Sequence, residues 1–587
     1  MRIGAGVAAV VLLALVSAPH AAAGATFTVT RLDDPAPDGC LPMDCSLREA
    51  VLAANADPDS DAILLPAGHL RLTIPGPGED AAATGDLDLA HNVTITGVGA
   101  RLTAIDAQGV DRVFDVASGV TAEIDDVAVT GGQTPQGGAG VRNAGLLMLL
   151  RDTINGNAAT GDGGGIASSG RLTLTQSTVS GNHAQNGGGL DLSGDAALRS
   201  STVSGNVAGA PGSTGSGGGI HTAGPGSFML VSATIADNQA FNPLLAGGGI
   251  DGSAPTVTDS VIAGNVAYLV DQSMGGPSNC AQPVDSAGYN LSDGSDCGLS
   301  GNGDQQGVPA ELGPLADNGG STDTEAPLPG SPAIDTGGPC AAQDQRGVSS
   351  PRGLACDKGA YEVASPLVTS SAATSVGFTT ATMTGTVDPS LRETTAWFEY
   401  GRTAEYGSTT PVRYVGAGNG AMSFTEPLAG LRQGATYHYR LVAANAEGRT
   451  VGPDQSFTTM DRQKPVLSLL RIVPGLFHRK NGVTFSFTLS ENATVTLRFD
   501  HVLRGVRSRK RCVKITRRNR RHRPCTRYLP VAGSVVLTGT EGKNSTHFDA
   551  KVGEKLLTFG AYRLRATPRD ATGNVGKTVL AAFRVLR

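Results

Sequence analysis

The sequence predicts an all-β protein: a right-handed parallel β-helix followed by two β-sandwich domains. Three observations lead there. First, one phrase recurs across residues 137–265: a Gly cluster, an aliphatic residue, a short strand, and a turn ending in Asn. The clusters fall at 137–141, 163–166, 187–190, 217–220 and 247–250, and the turns end at Asn157, Asn182, Asn206, Asn238 and Asn265, in steps of 25, 24, 32 and 27 residues. Repeats of that length are solenoid units, and Gly, Thr, Ser and Val in place of helix formers make each unit a coil of strands. Second, registering the repeats on Asn gives three aliphatic columns: Leu149, Leu174, Leu198, Leu230, Val257; Ile154, Val179, Val203, Ile235, Ile262; and Val141, Ile166, Leu190, Ile220, Ile250. Third, residues 366–459 and 463–587 change to period-two alternation with turns every eight to twelve residues, the pattern of sandwiches.

The columns imply three strands per coil, with alternate side chains inward. Stacking coils about 4.8 Å apart buries those side chains continuously. Asn then forms a ladder of amides and takes the left-handed conformation of the turn, while Gly permits the opposite corner. The Gly131-Gly132 turn stands one repeat before Asn157 and joins the ladder. The helical core is placed at 61–270, within a cap at 25–60 and a C-terminal region at 271–363.

Residues 1–24 read as a secretory signal: Arg2, an apolar run at 7–16, and Ala21-Ala22-Ala23 before a cleavage site. No later stretch is apolar enough to span a bilayer. The expected location is secreted or extracellular, with cell-wall association. Eight cysteines form four near-neighbour pairs: Cys40 with Cys45, Cys280 with Cys297, Cys340 with Cys356, and Cys512 with Cys525. In an exported chain these read as local disulfides rather than metal ligands, because no CxxC or His-rich partner accompanies them.

Ser46 with Glu49 is a capping box, and Leu47, Ala50, Val51 and Ala54 give one apolar face, so a helix at 47–55 is expected to cover the first coil. The stretch Cys45-Ser46-Leu47-Arg48-Glu49-Ala50, with Ile63-Leu64-Leu65-Pro66 following, resembles the CSLREA domain of exported bacterial β-helix proteins. Tyr289-Asn290-Leu291, the 312–320 and 329–335 segments, Asp344-Gln345-Arg346-Gly347 and the 356–362 segment resemble the choice-of-anchor Q region that ends many such proteins. The resemblance implies an N-terminal cap and a closure of the C-terminal end; it implies no chemistry. Asp335, Asp344, Arg346 and Asp357 there read as ion pairs and turns that order loops. Residues 437–445 with Gly448 resemble a fibronectin type III strand, Trp397 reads as a core residue of that sandwich, and 463–587 resembles a bacterial Ig-like module.

Charge is divided. Residues 463–587 hold 26 Lys and Arg against six Asp and Glu, while the rest of the chain holds 20 against 46. Most of that excess lies in one insertion: Arg504, Arg507, Arg509, Lys510, Arg511, Lys514, Arg517, Arg518, Arg520, Arg521, Arg523 and Arg527, stapled by Cys512 and Cys525. Such a cluster fits an anionic polymer, whether cell-wall phosphate polymer, acidic glycan or extracellular DNA. Aromatic interleaving is limited to Tyr528, so specific nucleic-acid reading is not expected.

One outward column invites an active-site reading. Arg142, Ala167, Asp191, His221 and Asp251 follow the corner aliphatics, which puts His221 between two carboxylates, a geometry for acid–base chemistry or cation binding. Against it, the paired-Asp and Gly-His-Gly motifs of pectin-type hydrolases and the calcium Asp cluster and catalytic Arg of pectate-type lyases are not recognisable, and Asp125-Asp126 stands alone. The sequence therefore predicts no catalytic residue, no metal and no cofactor. It predicts an adhesin-like binding protein for extracellular or cell-wall glycans, with Asp191, His221 and Asp251 as candidate surface contacts. A β-helix polysaccharide lyase or glycoside hydrolase and a purely structural surface protein are the alternatives.

Overall fold

The computed structural model describes residues 24–241, 247–269 and 274–587; the signal reading at 1–24 lies outside them except for Gly24. The chain is nearly all β, with about seven turns of parallel solenoid followed by antiparallel sheets.

One coil runs through β1 (Leu146–Leu150), β2 (Thr153–Asn155), β3 (Ala158–Ala159) and β4 (Ile166–Ser168). Each strand belongs to its own parallel sheet, extended by the coils before and after. The predicted columns stand in single file: Leu149 pairs Leu174, Leu174 pairs Leu198, and Leu198 pairs Leu230 in the β1 sheet. Ile154, Val179, Val203, Ile235 and Ile262 align in the β2 sheet. Val141, Ile166, Leu190, Ile220 and Ile250 align in the β4 sheet. All are buried in one continuous core.

The expectation of three strands per coil is corrected to four. β3 and its counterparts, such as His183–Ala184 and Val207–Ala208, are two to three residues long and turn Ala159, Ala184, Ala208 and Ala240 inward. A strand that short carries no alternation to read.

The Asn ladder lies beside that fourth sheet. Asn157 Nδ2 donates to Asn182 Oδ1 at 3.0 Å, Asn182 to Asn206 at 3.0 Å, Asn206 to Asn238 at 2.9 Å, and Asn238 to Asn265 at 2.9 Å. Each Oδ1 also accepts the backbone N–H of the preceding Asn. The left-handed residue is not Asn, as the sequence suggested, but the one before it: Gly156, Gly181, Gly205, Asp237 and Gly264. Asn can then swing its amide into the coil. The last Gly of each cluster faces these amides: a Cβ on Gly165 would lie 2.7 Å from Gly189 O and 3.0 Å from Asn182 Nδ2. Only Gly allows that approach.

A second ladder holds the β1–β2 corner. Val127 N–H donates to Asp152 Oδ1 at 2.9 Å, Asp152 N–H to Ser177 Oγ at 3.1 Å, and Ser177 N–H to Ser201 Oγ at 3.2 Å. The series resumes with Ala233 to Ser260 and Ser260 to Asn290. Left-handed Asp126, Arg151, Gln176, Ser200, Ser232, Asp259 and Tyr289 stand immediately before each corner.

The N-terminal end is covered by α1 (Leu47–Asn55), with both capping-box hydrogen bonds made. Leu47, Ala50, Val51 and Ala54 join the solenoid core. Arg48 is fully buried, paired to Asp34 through Nε at 2.8 Å and Nη2 at 3.0 Å and donating to the carbonyls of Ala82, Gly85 and Asp86.

The segment at 310–362 does not simply close the far end, as its resemblance implied. It folds back along the outer face of the β2 sheet. Gln345 bonds Thr178 and Thr202, Ser204 bonds Glu325, Gly359 N–H donates to Asp259 O, and Arg101 reaches Asp323 at 2.6 Å. Thr178, Thr202 and Thr234, outward by strand period, are thereby buried. Within this flap Arg346 pairs with Asp344 at 2.7 Å and stacks 3.5 Å over Tyr361, while Asp357 and Asp335 accept backbone N–H groups, matching the loop-ordering reading.

The four predicted cysteine pairs are all disulfide-bonded, and each serves a different place. Cys40 is joined to Cys45 beside α1. Cys280 is joined to Cys297, and both sulfurs lie in the solenoid core at its distal end. Cys340 is joined to Cys356 within the folded-back segment, where Cys356 is buried. Cys512 is joined to Cys525 in the last module. The buried cysteines, Cys45, Cys280, Cys297 and Cys356, are therefore packing and cross-linking residues rather than surface contacts.

Two antiparallel sandwiches follow. Phe398, Phe424, Tyr439 and Phe457 build the first core. Trp397 is corrected from core to outer face: it neighbours Phe398 on a central strand, so the strand period turns it outward, half-buried and 5.7 Å from Arg449. Phe485, Phe499, Phe548, Tyr562 and Phe583 build the second core.

Asn206 both donates to Asn238 and accepts two bonds from Asn182. Asn206→Ala strands those buried groups and is expected to lower stability by about 3 kcal/mol, measured by urea denaturation. A loss under about 0.5 kcal/mol would show that the ladder contributes little.

Candidate functional site

The predicted outward column lies on the β4 sheet and is longer than the sequence suggested. In register it runs Asp88, Asp115, Arg142, Ala167, Asp191, His221, Asp251. Each residue follows an inward aliphatic or Phe, so strand period alone turns the column outward. The signal for its beginning was present in Leu87-Asp88-Leu89 and Phe114-Asp115-Val116, which repeat the form of Leu190-Asp191-Leu192.

The two ends differ in chemistry. At the far end, His221 Nδ1 sits 2.7 Å from Asp191 Oδ1, both half-buried. That hydrogen bond, opposed by burial and reinforced by the charges of Asp191, Asp251 and Asp162, raises the His221 pKa above its usual value. Asp251 is next in register, but its Oδ1 accepts the N–H of Gly252. The structure thus brings Asp191 and His221 together as an oriented pair and leaves Asp251 as a neighbouring charge. Asp162 holds the adjacent corner by accepting from Asn186.

At the near end Asp86, Asp88 and Asp115 cluster, all buried. Burial and the neighbouring acids push Asp86 up to about 7; burial, with Asp115 and other acids, pushes Asp88 up to about 6. Arg112 answers them, 3.0 Å from Asp86 and 3.2 Å from Asp115, and Arg142 reaches Asp115 at 3.0 Å. Asp86 and Asp115 are thus held in ion pairs, while Asp88 accepts the N–H of Ala82 at 2.7 Å. Asp126 is likewise bound by Arg151 at 2.6 Å, which removes the Asp125-Asp126 pair from contention as a catalytic couple.

A groove of about 480 Å³ runs along the β3 sheet, lined by Thr134, Ala159, Thr160, His183, Ala184 and Gln185 among others. Its floor is shallow because the inward side chains there are alanines.

No protein-family model matches the chain, and no curated protein matches it. Solved structures that match include the sensor domain of the anti-sigma factor RsgI4 from Pseudobacteroides cellulosolvens, in a shorter and a longer form. Both are 13% identical, cover 16% and 17% of this chain and 96% and 93% of those chains, and have TM-scores of 0.15 and 0.14. Likeness of that strength assigns nothing to this chain.

The basic insertion is a second, unconnected surface. It is an ordered hairpin: the strand Ala493–Ser508 pairs with Pro524–Pro530 and Arg511–Val513, and the bond between Cys512 and Cys525 ties the two arms. At its tip Asn519 accepts from Thr516 N–H at 2.7 Å and donates to Lys514 O at 3.0 Å. Arg527 is half-buried; the other eleven basic side chains are exposed. Among the described residues none of the twelve has a carboxylate partner. Tyr528 is already stacked, with the Arg563 guanidinium 3.5 Å over its ring.

Asp191→Asn removes the main cause of the raised His221 pKa, and the His221 midpoint read by NMR is expected to fall. Because the folded pKa lies above the unfolded one, the pair's stabilisation is present below about pH 6.5 and is lost as pH rises through the folded value. The variant should therefore be destabilised relative to wild type at about pH 5.5 and equal to it at about pH 9. An unchanged midpoint would refute the pairing.

Proposed function

We propose that this chain is an exported, non-catalytic binding protein. The solenoid, resembling CSLREA and choice-of-anchor Q proteins, offers a stiff polar surface to glycans, and the fibronectin-like and Ig-like modules hold it near an anionic envelope. The observation that carries this reading is the basic hairpin: twelve cations fixed on one stapled ribbon without counter-charges. Like charges so close repel, and nothing in the second sandwich's core requires them, so a polyanion is the partner that repays the arrangement. Four disulfides are consistent with an extracellular setting, and among the described residues no helix is long and apolar enough to cross a membrane.

The second reading is a β-helix polysaccharide lyase or hydrolase, favoured by the Asp191–His221 pair alone. Against that reading stand the engagements already made: Asp191 is paired with His221, the Asp251 Oδ1 accepts the Gly252 N–H, and at the opposite end Asp86 and Asp115 are paired with Arg112 and Arg142.

Two outcomes test the proposal. Neutralising Arg517, Arg518, Arg520, Arg521 and Arg523 to Gln should lower the salt needed to elute the protein from immobilised polyphosphate. Each engaged base should contribute about 0.7–0.9 to the log–log salt slope, taking nucleic acid as the model polyanion; unchanged elution would reject the hairpin as the grip. Purified protein incubated with acidic glycans should release neither reducing ends nor unsaturated products. Release abolished by His221→Ala would establish the enzymatic reading instead.

A further inference from the structure

The junction between the two sandwiches gathers three carboxylates that make no salt bridge among the described residues. Asp461 lies in the link between Gln455–Thr458 and Leu467–Val473. Glu491 lies in the turn after Val483–Leu489, and Asp570 in the turn after Gly560–Arg569. One oxygen from each stands within 4.8 Å of the others. They border a polar cavity of about 320 Å³, shared with Arg402, Arg432, Gln433, Asn492 and Glu541.

Asp570 is the decisive residue. It is only 7% exposed. Its Oδ1 accepts the Thr572 hydroxyl at 2.9 Å and the Asn574 N–H at 2.8 Å. Its Oδ2 is buried with no hydrogen-bond partner. A buried carboxylate oxygen without a donor is costly unless something positive meets it. Asp461 Oδ1 accepts the Gln463 N–H, and its Oδ2 packs over Gly434, where a Cβ would lie 2.8 Å away. Burial and the charges of Asp461 and Asp570 push Glu491 upward. Of the two arginines that border the cavity, Arg432 donates to Glu541 at 3.0 Å.

We propose that Asp461, Glu491 and Asp570 form a binding site for a hard divalent cation of the calcium type, which locks the link between the two sandwiches. The ligand set is all oxygen, as such ions require. Three oxygens within 4.8 Å of one another can share one ion bound at about 2.3–2.6 Å. The loops that carry them are irregular turns, which suit calcium's variable coordination better than the strict octahedron of magnesium. Because Asp461 belongs to the link and the other two to the second sandwich, occupancy fixes the link's path.

The test is a calorimetric titration of calcium chloride into chelator-stripped full-length protein, with Glu491→Gln, Asp570→Asn and Asp461→Asn beside wild type. Wild type should show a saturable site and a calcium-dependent rise in Tm. Each variant should lose affinity by about tenfold or more, since even outer-sphere changes cost that much at metal sites. Magnesium should bind more weakly than calcium. Circular dichroism checks that each variant is folded. Should Asp570→Asn fail to fold, the half-exposed Glu491→Gln decides. No saturable calcium binding in wild type, binding that survives Glu491→Gln, or equal affinity for magnesium would overturn the proposal.

Discussion

The stacked amides of Asn157, Asn182, Asn206, Asn238 and Asn265 set the terms for the rest of the solenoid. A buried amide must be satisfied on both its donor and acceptor sides, and here its partners are the coils above and below. That requirement fixes the vertical register. It also forces the facing corner to be Gly, since a Cβ on Gly140, Gly165 or Gly189 would meet an Asn amide about 3.0 Å away. Repeat length, by contrast, is freer: the 32-residue step from Asn206 to Asn238 places most of its extra residues after Val207–Ala208, between the ladder and the next Gly cluster, and the rest between Ile220–Thr222 and Phe228–Val231. The coils lengthen between strands, where nothing stacks.

The polar surface follows from the same geometry. Once the aliphatic columns are fixed inward, the intervening residues must face out and align from coil to coil, so charges are brought into rows whether or not a ligand wants them. The chain resolves this in two ways. In the Asp86, Asp88 and Asp115 row it supplies Arg112 and Arg142. In the Asp191 row it supplies His221. Both are local ion pairs within the column. Among the described residues the hairpin of the last module has no such compensation, and that contrast is what motivates reading its charge as a binding surface.

Much of this is legible in the sequence. The three aliphatic files, the Asn ladder, the helix at Leu47–Asn55 and the four cysteine pairs each rest on a local pattern with one physical solution. What escapes has no such pattern. β3 is too short for periodicity and inserts only alanine. The second ladder mixes Asp152, Ser177, Ser201, Ser260 and Asn290, which share an acceptor oxygen but not a name. Trp397 is misplaced because size suggests burial where strand parity decides the face. The junction carboxylates come from the link and from two turns of the second sandwich, far apart in the chain, and only the fold of that module against the link brings them together.

The segment at 310–362 changes how the whole rod fails. A bare stack of coils can fray from its open end, each coil leaving without disturbing those below. Here the last-made part of the rod is folded back and buttoned to coils made much earlier, at Thr234, Thr202, Thr178 and finally Arg101. Peeling from the distal tip must first undo a strap anchored near the base. The rod therefore holds or yields as one body.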